Sequence, residues 1–162
     1  MSGRGVLFAV DDEELAKLGE AASDAEVRAI VDAVEQRWEP DHSCELEKSW
    51  DAIHRALTDG KLAYDNGRGA TRLAVLGGKR LYDGDDAIVV ARDVDATAAV
   101  ARALAGWDEA ALRRAYFKID SREYGDLDEE DFQYTWAFFQ RMRAFYAEAA
   151  RAERSVVFVA DL

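Results

Sequence analysis

Residues Asp128 to Ala160 read DEEDFQYTWAFFQRMRAFYAEAARAERSVVFVA, and within them one hydrophobic pattern replaces another. Phe132, Trp136, Phe139, Met142, Tyr146 and Ala149 recur at helical spacing on one stripe, with Phe138 and Phe145 on a second, flanking stripe. Asp128 suits an N-cap, and the acids that follow suit the positive end of a helix dipole. The spacing therefore predicts a helix from about Asp128 to Ala152, with an aromatic surface wide enough for contacts on two sides. Ser155 to Ala160 then reads as a buried strand. Working outward, Val6 to Val10 is a second apolar run of strand length, and Ala87 to Ala91 a third.

Helices are expected between these strands. Asp11 caps a short one, with Glu14 as its capping-box partner and Gly19 as its stop; Ser23 and Glu26 repeat the box. Val27, Ile30, Val31, Val34 and Trp38 then form a stripe that Pro40 breaks. Leu46, Trp50, Ile53, His54 and Leu57 form the next stripe, ended by Asp59-Gly60, and Leu73 to Leu76 is a short apolar piece, helix or strand, stopped by Gly77-Gly78. Asp93 caps an Ala-rich helix with Val94, Ala98, Ala101 and Leu104 inward and Gly106 at its end; Asp108 caps another with Leu112, Ala115 and Tyr116 on one side. Strands near the start, middle and end, separated by helices, imply an α+β fold: a small mixed sheet of about three or more strands covered by several helices. A lone proline and the absence of a linker or repeat leave no place to divide residues 1–162, so one domain is expected.

The chain has 162 residues and a formal net charge of −12. That balance speaks against nucleic acid, whose phosphates require clustered Lys and Arg, and against anionic membranes. No apolar run approaches the roughly 20 residues of a membrane span or the 7–15 of a secretory core. One cysteine, Cys44, allows no intrachain disulfide. These features predict a cytoplasmic protein, and the preference for Arg over Lys suggests a high-GC bacterial source. The charge is uneven. Residues 1–60 are net −9 and residues 93–162 net −5, whereas residues 61–92 are net +2 and contain both glycine runs.

Candidate chemistry is sparse. His42 and Cys44 could supply two zinc ligands, but a structural site needs four, and no CxxC or HxxxH pair supplies the rest. Nucleophilic catalysis by Cys44 would need a base, for which His54 is the candidate. Asp120 to Asp131 has the outline of a calcium loop, yet Arg122 and Tyr124 stand where oxygen ligands are required. No metal and no cofactor are therefore expected. Gly67-Arg68-Gly69 and Gly77-Gly78-Lys79-Arg80 could cradle an anion through backbone N–H groups, although neither matches a phosphate-loop pattern; turn formation explains the same glycines. His54 could equally be a core histidine with satisfied ring nitrogens, and Trp50 a core residue.

Leu46 to Gly60 reads L-x-K-x-W-x-x-I-H-x-x-L-T-x-G. This block resembles that of the YfbM-like family, bacterial proteins classed as a domain of unknown function. Leu76-Gly77-Gly78 is similar to the family's L-G-G turn. Asp93 to Leu104 resembles its helix after the middle strand, and Phe138 to Val159 its C-terminal block. The resemblance implies a single α+β domain over nearly the whole chain. It brings no activity, cofactor or catalytic residue, and it draws attention to Trp50, His54, Leu57 and the Gly77-Gly78 turn.

Two functional expectations follow. The first is a non-enzymatic acidic interaction protein that opposes a basic protein partner, for example an immunity-type inhibitor of a basic toxin. A homodimer through the aromatic C-terminal helix is a further form of partnership. The second is a small-anion-binding protein or enzyme, in which Trp50, His54, Arg68, Arg72, Lys79 and Arg80 share a pocket and His54 acts as acid or base.

Overall fold

The first and last apolar runs of the chain meet in the middle of one sheet. The structure is a computed structural model that describes residues 3–162. β1 (Gly5–Val10) pairs with β5 (Ser155–Asp161), from Gly5 opposite Ala160 to Val10 opposite Ser155. The other edge of β5 pairs with β4 (Ala87–Arg92). β2 (Ser43–Glu47) extends the sheet beyond β1, and β3 (Lys79–Arg80) beyond β4, in the order β2-β1-β5-β4-β3. Every pairing is antiparallel, which corrects the expected mixed sheet. β1 and β4 do run the same way, but β5 returns between them and separates the two strands that would have made a parallel pair.

Alternation along the strands feeds two cores. Leu7, Ala9, Ile88, Val90, Val156 and Phe158 face the larger one. It is covered by α3 (Ser49–Leu57), α4 (Val94–Ala105), α5 (Glu109–Tyr116) and α7 (Glu129–Arg151). Phe8, Val10, Val89, Ala91, Val157 and Val159 face a thinner core under α1 (Asp12–Glu20) and α2 (Asp24–Arg37). With both faces covered, the three inner strands read as unbroken apolar runs instead of alternating ones. Gly5 is required by close approach: a Cβ there would lie 2.6 Å from the Trp50 ring and 2.7 Å from the Phe158 ring.

Helix ends follow their caps closely. Asp11 and Glu14 form the full capping box of α1, but Gly19 lies inside the helix and Ala21 closes it. Ser23 accepts from the Glu26 N–H, while Glu26 answers the N–H of Ala22 instead of Ser23, so the second box is displaced by one residue. α2 stops at Arg37, before Pro40, and Trp38 leaves the stripe to pack edge-on against Phe8. The long helix starts after its Asp128 cap as the spacing predicts, and it ends at Arg151.

Other expectations shift. Leu46 belongs to β2, not to the α3 stripe, because Glu47 at φ 51° turns the chain between them. Ala70–Leu73 is one turn of 3-10 helix. On α4 the buried residues are Thr97, Val100 and Leu104, so the inward stripe is rotated from the expected one. On α7, Phe132, Phe139, Met142, Phe145, Tyr146 and Ala149 are spent on the chain's own core; Tyr134 and Phe138 remain as an outer edge pair, with ring centroids 5.0 Å apart. Among the described residues no helix is long and apolar enough to cross a membrane.

Candidate functional site

α3 carries His54 and Trp50 inward. Trp50 is 1 % exposed, tilts against Phe158 at 5.3 Å between ring centroids, and donates from its indole N–H to the Gly3 carbonyl at 2.9 Å. His54 is also 1 % exposed. Its Nε2 lies 2.9 Å from Oδ1 of Asn66, whose amide nitrogen donates to Thr58, Asp59 and the Lys61 carbonyl. That arrangement fixes Asn66 Oδ1 as acceptor and His54 Nε2–H as donor. Burial lowers the His54 pKa below its ordinary value; the Asn66 bond and the charges of Asp51 and Asp59 oppose the shift without reversing it. The ring is thus neutral and engaged near pH 7, and none of the principal surface clefts includes it.

Cys44 is buried in β2, and desolvation pushes its thiol up to about 12, away from the thiolate that nucleophilic or metal chemistry needs. His42 contacts Glu39 at the surface at 3.3 Å and does not join it. Among the described residues no group of three or more His, Cys, Asp or Glu is arranged around a metal position. The acids of the calcium-like stretch have other duties. Asp120 caps the one-turn helix α6 (Ser121–Tyr124) and binds Arg122, and Asp128 caps α7. Asp131 accepts from the phenols of Tyr116 and Tyr124 at 2.6 and 2.7 Å. Burial first, and this carboxylate second, raise both phenol pKa values.

The four basic candidates do not converge on His54. Arg68, Lys79 and Arg80 are exposed and Arg72 is half-buried. Arg80 lies over the Tyr64 ring, 4.3 Å from its centroid. Of the four, Lys79 lines a cavity, at the edge strand β3 on the far side of the Gly77-Gly78 turn. The glycine-bearing segment therefore meets His54 through Asn66, a neutral amide, and not through its cations.

Three clefts stand out. A cavity of about 330 Å³ lies beside Lys79 where α1, β3 and the β4–α4 junction meet. A polar groove of about 480 Å³ runs between the end of α3 and α5. The third, of about 420 Å³, opens between the start of α3 and the α6–α7 loop; Asp51, Asp126, Asp128 and Asp131 line it with Tyr124 and Tyr134, and Lys48 is its one cation.

The domain of unknown function DUF1877 matches residues 1–159. The chain belongs to that family. YfbM from Escherichia coli, a protein of unknown function known from its crystal structure, is similar in fold to this DUF1877 chain, with a TM-score of 0.70 over 97 % of this chain and 99 % of that one, at 19 % identity. No curated protein matches. The YfbM-like resemblance and the α+β architecture expected from the sequence are therefore shown.

In this DUF1877 chain the W-x-x-I-H-x-x-L-T-x-G block closes the end of α3. The Thr58 hydroxyl donates to the His54 carbonyl at 2.6 Å, and the Gly60 N–H returns to the Arg55 carbonyl at 3.0 Å. Inside the block, Arg55 donates from Nε to Asp51 at 2.7 Å, both side chains being nearly buried. Two features escaped the sequence. One is the acidic cleft, whose acids come from separate elements. The other is Arg92, 3 % exposed, whose Nη2 donates to the carbonyls of Val75 and Gly77 at 2.7 and 3.1 Å. A cation directly after the apolar run Ala87–Ala91 was the available signal for Arg92.

Proposed function

We propose that this chain is a non-enzymatic binding protein of the bacterial cytoplasm that recognises a basic protein partner, in the manner of an immunity-type inhibitor. The observation that carries the reading is the acidic cleft between α3 and the α6–α7 loop. Asp126 and Asp128 are exposed beside it, and Tyr124 and Tyr134 give it aromatic walls. Carboxylates and phenol rings around one opening favour a Lys or Arg side chain, through Coulomb attraction and cation–π contact. The net charge of −12 extends the same attraction over the molecule and would speed encounter with a cationic surface. Sealing of His54 and Cys44 supports the non-enzymatic part, since both candidate reactive groups are removed from substrate.

The test is capture from a lysate of the source organism by the immobilised chain, in parallel with Asp126→Asn/Asp128→Asn. Asn also caps helices, so this variant keeps the start of α7. A basic protein should be retained by the wild type and released near 1 M salt, where the Debye length is about 3 Å. The variant should retain it about tenfold less. Retention of no basic protein, or retention indifferent to both salt and the variant, would refute the reading.

A further inference from the structure

The groove between the end of α3 and α5 is the largest of the three clefts, at about 480 Å³. The T-x-G end of the W-x-x-I-H-x-x-L-T-x-G block, Thr58 to Gly60, forms part of its wall. Its acceptors are already spent. The Thr58 hydroxyl donates to the His54 carbonyl and accepts from the Asn66 amide. Asp59, the one carboxylate in the lining, takes the same amide and the Lys61 N–H on its Oδ1.

Its donors are not spent. Arg55 is 7 % exposed, and its Nε binds Asp51. Nη1 donates at 3.3 Å to the carbonyl of Gly60, itself a wall residue, which holds the guanidinium at the groove. Nη1 also reaches Glu123 at 3.4 Å. Nη2 has no partner, and it is not among the partnerless atoms sealed inside the protein, so it stays open to solvent. Arg114 of α5, and Lys118 two residues past its end, line the groove, are exposed and make no ion pair among the described residues. Arg113 beside them is engaged by Glu109 and Glu129. Trp107, half-buried, is the one aromatic residue of the lining, and its indole N–H is also partnerless without being sealed. Guanidinium, ammonium and indole N–H groups donate and do not accept. The groove therefore combines unmet donors with positive charge in a chain that is net −12.

That inventory selects its ligand. Three cations from separate elements suit a dianionic phosphate, with three terminal oxygens, better than a carboxylate with two. Bare phosphate would leave most of the volume and the Trp107 wall unused. A nucleic-acid strand would extend onto the acidic remainder of the surface. We infer that this groove binds a small phosphate monoester with a compact aromatic body. The phosphate is answered by Arg55 Nη2, Arg114 and Lys118, and the body lies along Trp107, Ala111 and Ala115. The acidic cleft takes no part, so either site can fail without the other.

The experiment is calorimetric titration of the full chain with phenyl phosphate, inorganic phosphate, benzoate and phenol. Phenyl phosphate should bind saturably at one site, at least about tenfold tighter than each of the others. Arg114→Gln/Lys118→Gln should weaken it at least about tenfold. Arg68→Gln/Lys79→Gln removes the same charge from exposed positions outside the groove, and should change affinity by less than about twofold. Ala111→Glu is a second groove variant. It stands at the third position of α5 behind the Asp108 cap, where an acid suits the helix dipole, and its carboxylate should compete with the phosphate. Absence of saturable binding, affinity no better than that of inorganic phosphate, benzoate or phenol, equal weakening by the two double variants, or affinity unchanged in both groove variants would overturn the inference.

Discussion

The two ends of the basic segment treat their polar groups in opposite ways. At the His54 end, Asn66 folds over the ring, and its amide hydrogens are distributed among Thr58, Asp59 and the Lys61 carbonyl. At the Lys79 end, a cavity opens beside an exposed lysine, and the Arg92 guanidinium behind it leaves two nitrogens without partners inside the protein. A histidine within a marked motif is the conventional place to look for function, yet here its Nε2–H is taken by Asn66 and the ring is buried. Arg92, unmarked by any motif, leaves two guanidinium nitrogens without partners, and they too are closed off inside the protein. A group whose hydrogen bonds are made, or whose atoms are sealed from solvent, has nothing to offer a ligand, whatever its residue type.

That contrast can be broken by substitution. The largest effect is expected at Asp51→Ala, which leaves Arg55 buried without its carboxylate and should cost about 3–5 kcal/mol in chemical denaturation. Loss of under about 1 kcal/mol would show that Glu123 at the surface replaces the pair unaided. Asn66→Ala should cost about 1–3 kcal/mol, since it strands the His54 ring N–H in the interior.

A pH series tests His54 itself. Burial holds its pKa below the ordinary 6.5, so the unfolded chain takes up a proton that the folded chain refuses. The stability this group contributes is complete above 6.5 and is lost as pH falls from there through the folded-state value. Denaturation of wild type and His54→Gln on either side of 6.5 should show a shallower acid loss in the variant; equal slopes would place the protonation elsewhere.

At the open end the expected changes are small. Gly19→Ala should raise stability by about 0.5–1 kcal/mol by restricting the unfolded backbone, read as a higher melting temperature. Lys79→Gln should alter stability by less than about 0.5 kcal/mol. A larger loss would mean that Lys79 holds structure as His54 does, and the contrast between the two ends would disappear.

Much of this architecture was legible because local and global signals agreed. Asp11, Ser23, Asp93, Asp108 and Asp128 all cap the helices they precede, and the three inner strands lie where the apolar runs stand. The edge strands were not legible. β2 offers only Cys44 and Leu46 to the core, and Leu46 stands four residues before Trp50, so a helical stripe absorbed it. β3 is two exposed residues and carries no pattern of its own. The rotation of α4 turned on Thr97, a buried hydroxyl that a hydrophobic count passes over. Of the cavity's lining, the sequence marked Lys79 and the basic segment. Long-range packing alone brought Leu15 and Gly19 of α1 to face them.

The position of β5 has a consequence for how the protein is made. During synthesis β1 and β4 leave the ribosome long before residues 155–161, and the slot between them stays unfilled until that segment arrives. Until then β1 and β4 each lack the strand that lies between them in the finished sheet, and an unpaired apolar strand edge is a template for other extended peptides. Closure of the sheet is therefore a late event. A nascent chain stalled before Ser155 would be a client for chaperones or a seed for aggregation, and the final strand acts as the keystone that retires both edges at once.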